Sequence, residues 1–384
     1  MIRWIAFSIV LTFLPQPAGA AIARVVIDGA IDPIPAEFVV KSLEKAETEA
    51  VEFVLIRLTT PGGFGSSMEE IISKMLNSRV PVVIYIAPSG AKAASAGFFI
   101  LLAADIAAMA PGTNTGAAHP LMAIAGFPVD QQGEAGKTLT EKITSNATAF
   151  IRSIASQRHR NVEEAEKGVR ESKSFTEAEA LELRLIDFVA ADEQELLAKL
   201  HGYKVTMFSG SEVTLATSGV AIVDYEMTAR EKFLAVISHP NLALLLGLAG
   251  VILLYVEFSH PGMIAPGVVG GICVLLSILG FSLLPINYVG ALLILLAIAL
   301  FVAEVKVQGF GILGFGGIVA MIVGMIILID SPDPAVRIGL MTAVAAALPF
   351  AVIFLILLVA LVKSLRQQVA TGDAGMIGLT GQAD

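Results

Sequence analysis

The spacing of hydrophobic positions changes near residue 235 and divides this chain into two regions. Before that point, short apolar runs alternate with segments of helical spacing. Beyond it, long apolar stretches follow one another, and only three charged residues occur between positions 238 and 329. The first pattern is typical of a soluble α/β domain, and the second predicts helices that span a membrane.

Near-continuous apolar runs in the first region predict buried strands at residues 23–31, 52–58, 80–87, 106–110 and 185–189. Helical spacing predicts helices at 34–48, 66–77, 91–104, 140–157, 162–171 and 177–183. We interpret 112–136 as a loop and 204–224 as a terminal hairpin. Buried strands that alternate with helices predict an α/β fold, with a parallel sheet covered on both faces.

The second region predicts an all-α, polytopic membrane domain of about five helices. The apolar stretches lie at 241–258, 266–284, 288–303, 309–329 and 338–362. We expect this domain to cover residues 236–365. Five spans that start outside place the tail inside, and Lys363 and Arg366 there fit the excess of positive charge on the cytoplasmic side.

Residues 1–20 predict a cleavable signal peptide. Arg3 gives a positive start, residues 4–14 are apolar, and Ala18-Gly19-Ala20 resembles a cleavage site. The alternative is an uncleaved anchor, but about eleven apolar residues are too few to cross a hydrocarbon core of roughly 30 Å. We therefore expect residues 21–235 to form an extracytoplasmic domain on an inner or plasma membrane.

Charge and composition exclude several functions. The net charge of −9 argues against a nucleic-acid partner. Cys273 is the single cysteine, so neither an internal disulfide nor a cysteine-based metal site can form. The histidines have no ligand spacing, and the chain has no phosphate-binding loop. We expect no metal and no cofactor.

A serine among small residues is the first candidate for chemistry. Ser95 follows an apolar strand, and Ala93, Ala94, Ala96 and Gly97 around it leave room for a substrate backbone. Hydrolysis by serine requires a base and donors aimed at the developing oxyanion. Small residues at a helix start also serve close packing, and that reading stays open.

A glycine pair supplies candidate oxyanion donors. Gly62 and Gly63 follow the strand at 52–58, and glycine can present its N–H in conformations that other residues avoid. The amides of Gly63 and Ala96 are therefore natural donors. The plainer alternative is a simple turn after a strand.

The general base has three candidates. His119 is the best-placed histidine, although a polar loop position explains it equally well. Lys142, at the edge of the apolar face of its helix, would serve if burial kept it neutral. Lys137 precedes it in a solvated stretch. Spacing alone does not choose among them.

Five ordered motifs carry a resemblance to a known family. They read TPGGF at 60–64, AKAASAGFFI at 91–100, MAPGTNTGAAHP at 109–120, EKITSNATAFIRS at 141–153 and EAEALELRLIDFV at 177–189. EFSHPG at 257–262 adds to them. The chain resembles the NfeD-family membrane-bound serine proteases, also called long-form NfeD or stomatin operon partner proteases. Their fold is similar to the Clp protease and crotonase subunits.

The resemblance implies a role for each candidate. Ser95 would be the nucleophile and Lys142, in its Lys-Ile-Thr motif, the general base of a Ser-Lys dyad. Gly62, Gly63 and Ala96 fall on the oxyanion region. The implied substrate is a hydrophobic C-terminal segment of a stomatin- or prohibitin-like membrane protein. The implied assembly is a homodimer or higher oligomer at the lipid bilayer.

The chain departs from the family pattern at three places. Thr59 replaces an acidic residue before the Thr-Pro-Gly-Gly motif. Arg184 replaces a glycine, which predicts strain at a helix end. The family continues into a soluble OB-type β-barrel, whereas this sequence stops at Asp384, so we expect residues 366–384 to be its incomplete start.

Three alternatives remain beside a membrane-anchored serine endopeptidase. The first is a catalytically silent membrane scaffold or stomatin-binding module. The second is a crotonase-type acyl-CoA enzyme, which the signal peptide disfavours. The third is cleavage of the signal-peptide-peptidase type, which differs mainly in its substrate.

Overall fold

A computed structural model describes residues 21–120, 123–124, 127–128, 134–260, 264–284, 286–307, 311–329 and 337–366. The chain divides into an α/β unit (residues 1–120 and 133–231) and a helical unit (residues 121–132 and 232–384). The predicted signal peptide and the predicted OB-type segment after Arg366 lie outside the described residues.

The strands are β1 (Ile22–Asp28), β2 (Phe53–Thr59), β3 (Val82–Ile86), β4 (Lys92–Ala94), β5 (Ile106–Met109), β6 (Asn114–Gly116), β7 (Ala123–Ile124), β8 (Phe127–Pro128), β9 (Ser174–Thr176), β10 (Phe188–Val189), β11 (Lys204–Thr206), β12 (Glu212–Thr214) and β13 (Ile222–Tyr225). The helices up to the end of the α/β unit are α1 (Pro33–Glu49), α2 (Gly65–Leu76), α3 (Ala96–Ala103), α4 (Glu134–Gln157), α5 (Val162–Arg170), α6 (Glu177–Glu182), α7 (Glu193–Leu200) and α8 (Ala229–Ile237), of which α8 runs into the helical unit.

A six-stranded sheet forms the centre of the α/β unit, in the order β10-β5-β3-β2-β1-β13. All of its pairings are parallel. Strands β3 and β5 are buried along their whole length, as expected where both faces of a parallel sheet are covered. The predicted α/β fold with a parallel sheet is confirmed.

The two faces of the sheet carry separate cores. One face packs against helices α1 to α5, with Leu43, Ile72, Phe98 and Ile151 among the buried side chains. The opposite face packs against α7, through Leu196 and other residues. Helix α7 was not predicted.

The predicted hairpin at 204–224 is correct only in its first part. Strands β11 and β12 do pair with each other in antiparallel fashion. Strand β13 instead joins the main sheet beside β1, with Ile222 opposite Ile22 in register. Its weak alternation fits an edge strand, because Ile222 and Val223 remain partly exposed.

A second, small sheet breaks the helix that was predicted over 91–104. Strand β4 pairs with β6, and β6 pairs with β9. Residues 92–94 are therefore extended, and helix α3 begins only at Ala96. The alanine-rich run fits either conformation, and the distant strand β6 decides between them. Ser95 lies at the junction.

Helix α4 is fixed to the sheet at its C-terminal end by buried charges. Arg158 donates to Asp105 Oδ1 (2.5 Å), and both side chains are less than 5% exposed. Asp105 Oδ2 accepts the Val82 N–H (2.8 Å). Burial raises the pKa of the Asp105 carboxyl, and Arg158 opposes that shift. Arg160 adds bonds to the Leu102 and Ala104 carbonyls (both 3.1 Å). This network orients the helix that carries Lys142.

Arg184, which stands where the family pattern has glycine, has the strained left-handed conformation that we predicted. It follows α6 with φ 57°, a region that glycine occupies without steric cost. The Leu185 N–H then donates to the Ala180 carbonyl (2.8 Å) and closes the helix end. The arginine is tolerated at a cost of backbone strain.

Apolar helices make up the described part of the helical unit from Pro240 onward. They are α9 (Pro240–Ser259), α10 (Ile264–Ser282), α11 (Tyr288–Val307), α12 (Ile312–Ile327) and α13 (Leu340–Arg366). Two stretches, Pro240–Phe258 and Ile264–Ser282, are long and apolar enough to cross a membrane, by length and composition. Shorter apolar helical stretches lie at Tyr288–Glu304, Ile312–Ile327 and Leu340–Val352. The count of five spans stays a prediction.

The hairpin α9–α10 and the hairpin α11–α12 repeat one pattern. Glu257 lies in the last turn of α9, and Glu304 lies in the last turn of α11, 47 positions later (257 to 304). Glu304 accepts the N–H groups of Gly311 (2.9 Å) and Gly314 (3.1 Å) at the start of α12. The Glu257 carboxylate occupies the space in front of Gly267 in α10, although its Oε2 accepts no hydrogen bond from the described residues, and 267 to 314 is again 47 positions.

Close helix packing repeats with the same offset. A Cβ on Gly270 would lie 2.8 Å from the Gly250 carbonyl, and one on Gly317 would lie 3.2 Å from the Ala297 carbonyl. Both pairs of positions, 270 to 317 and 250 to 297, are 47 residues apart. Small residues at such contacts let helices approach closely in membranes. These matching contacts indicate that the hairpins α9–α10 and α11–α12 are tandem copies of each other.

Candidate active site

Ser95 forms a strained turn between β4 and α3. Its backbone has φ 53° and ψ −116°, a conformation that a residue with a Cβ rarely adopts. It occupies the N-cap position of α3, yet its hydroxyl makes no capping bond. Serine at this position ordinarily bonds an amide of the first turn. Ser95 is half-buried, and its hydroxyl is left without a capping bond at a strained backbone position.

The strain at Ser95 also fixes the direction of the next amide. The Ser95 carbonyl accepts the Phe98 N–H inside the first turn of α3 (3.0 Å). A trans peptide is planar, so the Ala96 N–H points the opposite way from that carbonyl. Among the described residues this N–H has no hydrogen-bond partner. It is also at the positive end of α3.

Strand β6 is hydrogen-bonded to Ala93 of β4 and to Ser95 itself. The Ser95 N–H donates to the Gly116 carbonyl (3.0 Å). The Thr115 hydroxyl, which is 1% exposed, donates to the Ala93 carbonyl (2.7 Å). Gly116 has φ 116°, and a Cβ there would lie 2.9 Å from Ser174 Cα. Only glycine fits at position 116, where β6 is hydrogen-bonded to Ser95.

The Gly62–Gly63 turn follows β2 and packs directly on the chain after β1. The Ile31 N–H donates to the Gly62 carbonyl (2.8 Å), and the Phe64 N–H donates to the Ile31 carbonyl (3.1 Å). A Cβ on Gly63 would lie 2.6 Å from Ile31 N, so only glycine fits. The Gly63 N–H has no partner among the residues that the structure describes.

Thr60 joins this turn to the strand that precedes Ser95. Its N–H donates to the Lys92 carbonyl (2.8 Å), and its carbonyl accepts the Ala94 N–H (3.1 Å). The turn and the serine are therefore attached to each other through one residue. That Gly63 and Ala96 serve one oxyanion site stays a prediction.

Lys142 lies on the exposed face of α4. The expectation that it borders the packed face of this helix is therefore wrong for a single copy of the chain. The packed side carries Ile143, Thr148, Ile151 and Ile154. The rings of Phe99 and Phe150 stack at 6.0 Å and join α3 to α4. Lys142 precedes Phe150 by eight residues (142 to 150), about 12 Å along the helix axis.

His119 lies in the segment that continues from β6. Its Nδ1 is 3.1 Å from the Val169 carbonyl, and the residue is half-buried. If Nδ1 donates to that carbonyl, Nε2 is left to accept a proton. The Ala118 N–H also donates to the Gly168 carbonyl (2.9 Å), which holds this segment against α5. His119 is therefore an oriented second candidate for the base.

The sequence reasoning missed the parts that Thr60 and Thr115 play in this site. Each acts through a contact with a distant segment, which no local pattern encodes. The signal for Thr60 was its place at the head of the motif TPGGF, where only the glycines were given a role. Thr59, which departs from the family pattern, donates its hydroxyl to the Ala87 carbonyl (2.8 Å).

A parallel α/β unit followed by apolar helices defines a membrane-anchored α/β protein. The sequence matches the family model described as NfeD1b, N-terminal domain, over residues 21–218. It matches the NfeD integral membrane domain over residues 241–360. The chain belongs to the NfeD family of membrane proteins.

Two relatives support this assignment. The chain is 34% identical over 393 residues to the membrane-bound protease PH1510 of Pyrococcus horikoshii, which covers 99% of this chain and 87% of that protein. It is 28% identical over 301 residues to the membrane protein NfeD1b of Bacillus subtilis, covering 74% and 62% of the two chains. The chain is thus homologous to a membrane-bound protease along nearly its whole length.

A solved structure resembles the α/β unit. It is a lysine-to-alanine mutant of the 1510-N membrane-bound stomatin-specific protease in complex with a substrate peptide. The TM-score is 0.52 at 32% sequence identity, and the match covers 57% of this chain and 98% of that one. The resemblance to a protease fold is therefore found in three dimensions as well as in sequence.

Proposed function

We propose that this chain is a membrane-anchored serine endopeptidase with Ser95 as its nucleophile. The strained backbone conformation of Ser95 is the main support for this role. A positive φ in a residue with a Cβ costs of order 1–3 kcal/mol, and such strain concentrates at functional sites. A nucleophile on a tight strand-to-helix turn exposes its hydroxyl next to free amides at the helix start. Ser95 has this arrangement between β4 and α3.

In the proposed reaction, Lys142 in its neutral form removes the proton from the Ser95 hydroxyl, and Oγ attacks the scissile carbonyl. The Gly63 and Ala96 amides donate to the oxyanion of the tetrahedral intermediate. Gly62, with φ 132°, lets the chain turn so that the Gly63 N–H can act as an oxyanion donor. Lys142 then protonates the leaving amine. Water hydrolyses the acyl-enzyme, with Lys142 as base again.

A second copy or the substrate must cover Lys142 for this role. A lysine acts as a general base only in its neutral form, and burial favours that form. The exposed face of α4 is where such a cover would bind, which fits a homodimer or higher oligomer. The relative's lysine-to-alanine mutant holds a substrate peptide. A lysine that is needed for turnover but not for binding would allow such a complex to form after its replacement by alanine.

We assign the substrate to the hydrophobic C-terminal segments of stomatin-like membrane proteins, because the homologous protease is described as stomatin-specific. The full-length chain in detergent should cleave a peptide that carries such a segment from a stomatin homologue, within the apolar stretch. Mass spectrometry of the products locates the cut. The control is a peptide of the same length with serine and asparagine in place of the apolar residues. Equal cleavage of both peptides would contradict this substrate class.

We place the protease domain (residues 21–235) outside the cytoplasm and the tail inside. The duplicated hairpins support an odd number of spans. If α9 and α10 cross and return, their copies α11 and α12 do the same, and α13 is the fifth span. Alkaline phosphatase, which is active only outside the cytoplasm, should be active when fused after Asp224 or Asp333 and inactive after Leu365. A fluorescent reporter for the cytoplasm should give the opposite pattern. Phosphatase activity after both Asp224 and Leu365 would refute the five-span topology.

A further inference from the structure

We infer that the Thr60 hydroxyl positions the oxyanion donor by holding the Gly62–Gly63 peptide in one orientation; this inference rests on the proposed function of Ser95. Thr60 is completely buried. Its Oγ1 accepts the Gly62 N–H (3.0 Å) and donates to the Gly62 carbonyl (2.9 Å). One hydroxyl therefore binds both polar groups of Gly62.

Holding the Gly62 carbonyl determines where the Gly63 N–H points. The two groups belong to one planar trans peptide, so they point in opposite directions. The Ile31 N–H binds the same carbonyl from the chain after β1 (2.8 Å). Rotation of this peptide would break both bonds and turn the carbonyl, in place of the N–H, toward the oxyanion. Glycine itself resists such a rotation weakly, because it accepts most backbone conformations.

The same residue sets the distance between the turn and the nucleophile. A Cβ on Gly97, in the first turn of α3, would lie 2.5 Å from the Thr60 methyl carbon. That methyl therefore packs against the backbone of the helix that starts after Ser95. The backbone of Thr60 is bonded to Lys92 and Ala94 of β4. Thr60 thus contacts the donor turn, the strand before the nucleophile and the helix after it.

Thr60 is a positioning residue, since it reaches the reaction only through Gly63. Replacement by valine keeps the shape and the methyl contact with Gly97 but removes the hydroxyl. Replacement by serine keeps the hydroxyl and removes the methyl. If the hydroxyl has only a structural role, Thr60→Val lowers thermal stability without a selective fall in kcat. If it orients the donor, kcat falls while KM is preserved, because the donor acts mainly on the transition state.

The test compares full-length Thr60→Val, Thr60→Ser and Thr217→Val in detergent with the stomatin-derived peptide. Thr217 is the matched control, because it is a buried threonine whose hydroxyl also donates to a backbone carbonyl, that of Leu197 in α7 (2.7 Å). We expect kcat of Thr60→Val to fall about 10- to 100-fold, with KM within about threefold of the parent. Thr60→Ser should retain kcat within about threefold, and Thr217→Val should match the parent.

Two results would overturn the role of Thr60 while leaving the proposed function intact. One is a folded Thr60→Val enzyme with the kcat of the parent, in a preparation where Ser95→Ala is inactive. The other, which applies even if Thr60→Val does not fold, is a folded Thr60→Ser enzyme whose kcat falls 10-fold or more. A parent enzyme without any Ser95-dependent turnover would overturn both the proposed function and the role of Thr60.

Discussion

Replacement of Ser95 by alanine should reduce peptide cleavage by about 10⁴-fold or more, because loss of a nucleophile removes the chemical step and leaves only binding and the oxyanion donors. The fold should be preserved. The Ser95 hydroxyl makes no hydrogen bond with the described residues, so its removal leaves no buried partner unsatisfied. The measurement is the rate of product formation by Ser95→Ala and parent, at equal concentration of folded protein.

Ser89→Ala is the matched control, since Ser89 is an exposed serine in the segment between β3 and β4. It should cleave at the rate of the parent. Thermal unfolding should give similar midpoints for all three proteins. Cleavage by Ser95→Ala at the parent rate would refute the assignment of the nucleophile.

Replacement of Lys142 by alanine should lower kcat by about 10³-fold or more, and the double variant Ser95→Ala/Lys142→Ala should be no less active than Ser95→Ala. Residues that act as one catalytic unit are strongly non-additive. The parent rate should rise with pH as the base loses its proton, and this rise should be absent from the residual activity of Lys142→Ala. Rate–pH profiles of parent and variant give both results.

Two further variants separate Lys142 from its competitors. Lys137→Ala, in the same helix, should retain the activity of the parent. His119→Ala should lose at most about threefold, if the ring only fixes the segment near α5. A large loss in His119→Ala together with an active Lys142→Ala would replace the dyad by a Ser–His arrangement, which the bond between His119 Nδ1 and the Val169 carbonyl would orient.

The architecture of the α/β unit could be predicted because its main strands are buried. Runs such as 80–87 are apolar throughout, and only strands with two covered faces need that composition. The edge strand β13 was mispredicted as part of a hairpin. An edge strand contacts one neighbour, so its pattern is weak, and its pairing with β1 joins residues 200 positions apart (22 to 222).

The site was only partly predictable. Ser95, Gly63 and Ala96 could be proposed from residue type, because small residues and glycine suit an oxyanion site. The break between β4 and α3 could not be predicted, because it depends on the pairing of β4 with β6. The apolar residues of α4, taken alone, also placed Lys142 wrongly at the edge of the packed face of the helix. Thr144 and Thr148 face inward too, so the packed side extends away from Lys142.

The duplicated helical hairpin went unnoticed in the sequence for a related reason. Its two copies share few identical residues, and apolar residues replace one another freely in lipid. The equivalent positions are Glu257 with Glu304 and Gly267 with Gly314, where a carboxylate meets the start of a helix. Their shared spacing becomes visible only when the contacts are known.

In the proposed function the Ser95 hydroxyl is the reacting nucleophile of a protease. The most direct measurement treats the full-length protein in detergent with a fluorophosphonate, which forms a covalent adduct with activated serines, and maps the adduct by mass spectrometry. The proposal predicts one modified serine, Ser95, with loss of peptide cleavage in proportion to the modification and no adduct in Ser95→Ala. Full modification of a different serine with loss of activity, or peptide cleavage that persists when Ser95 is fully modified, would contradict it.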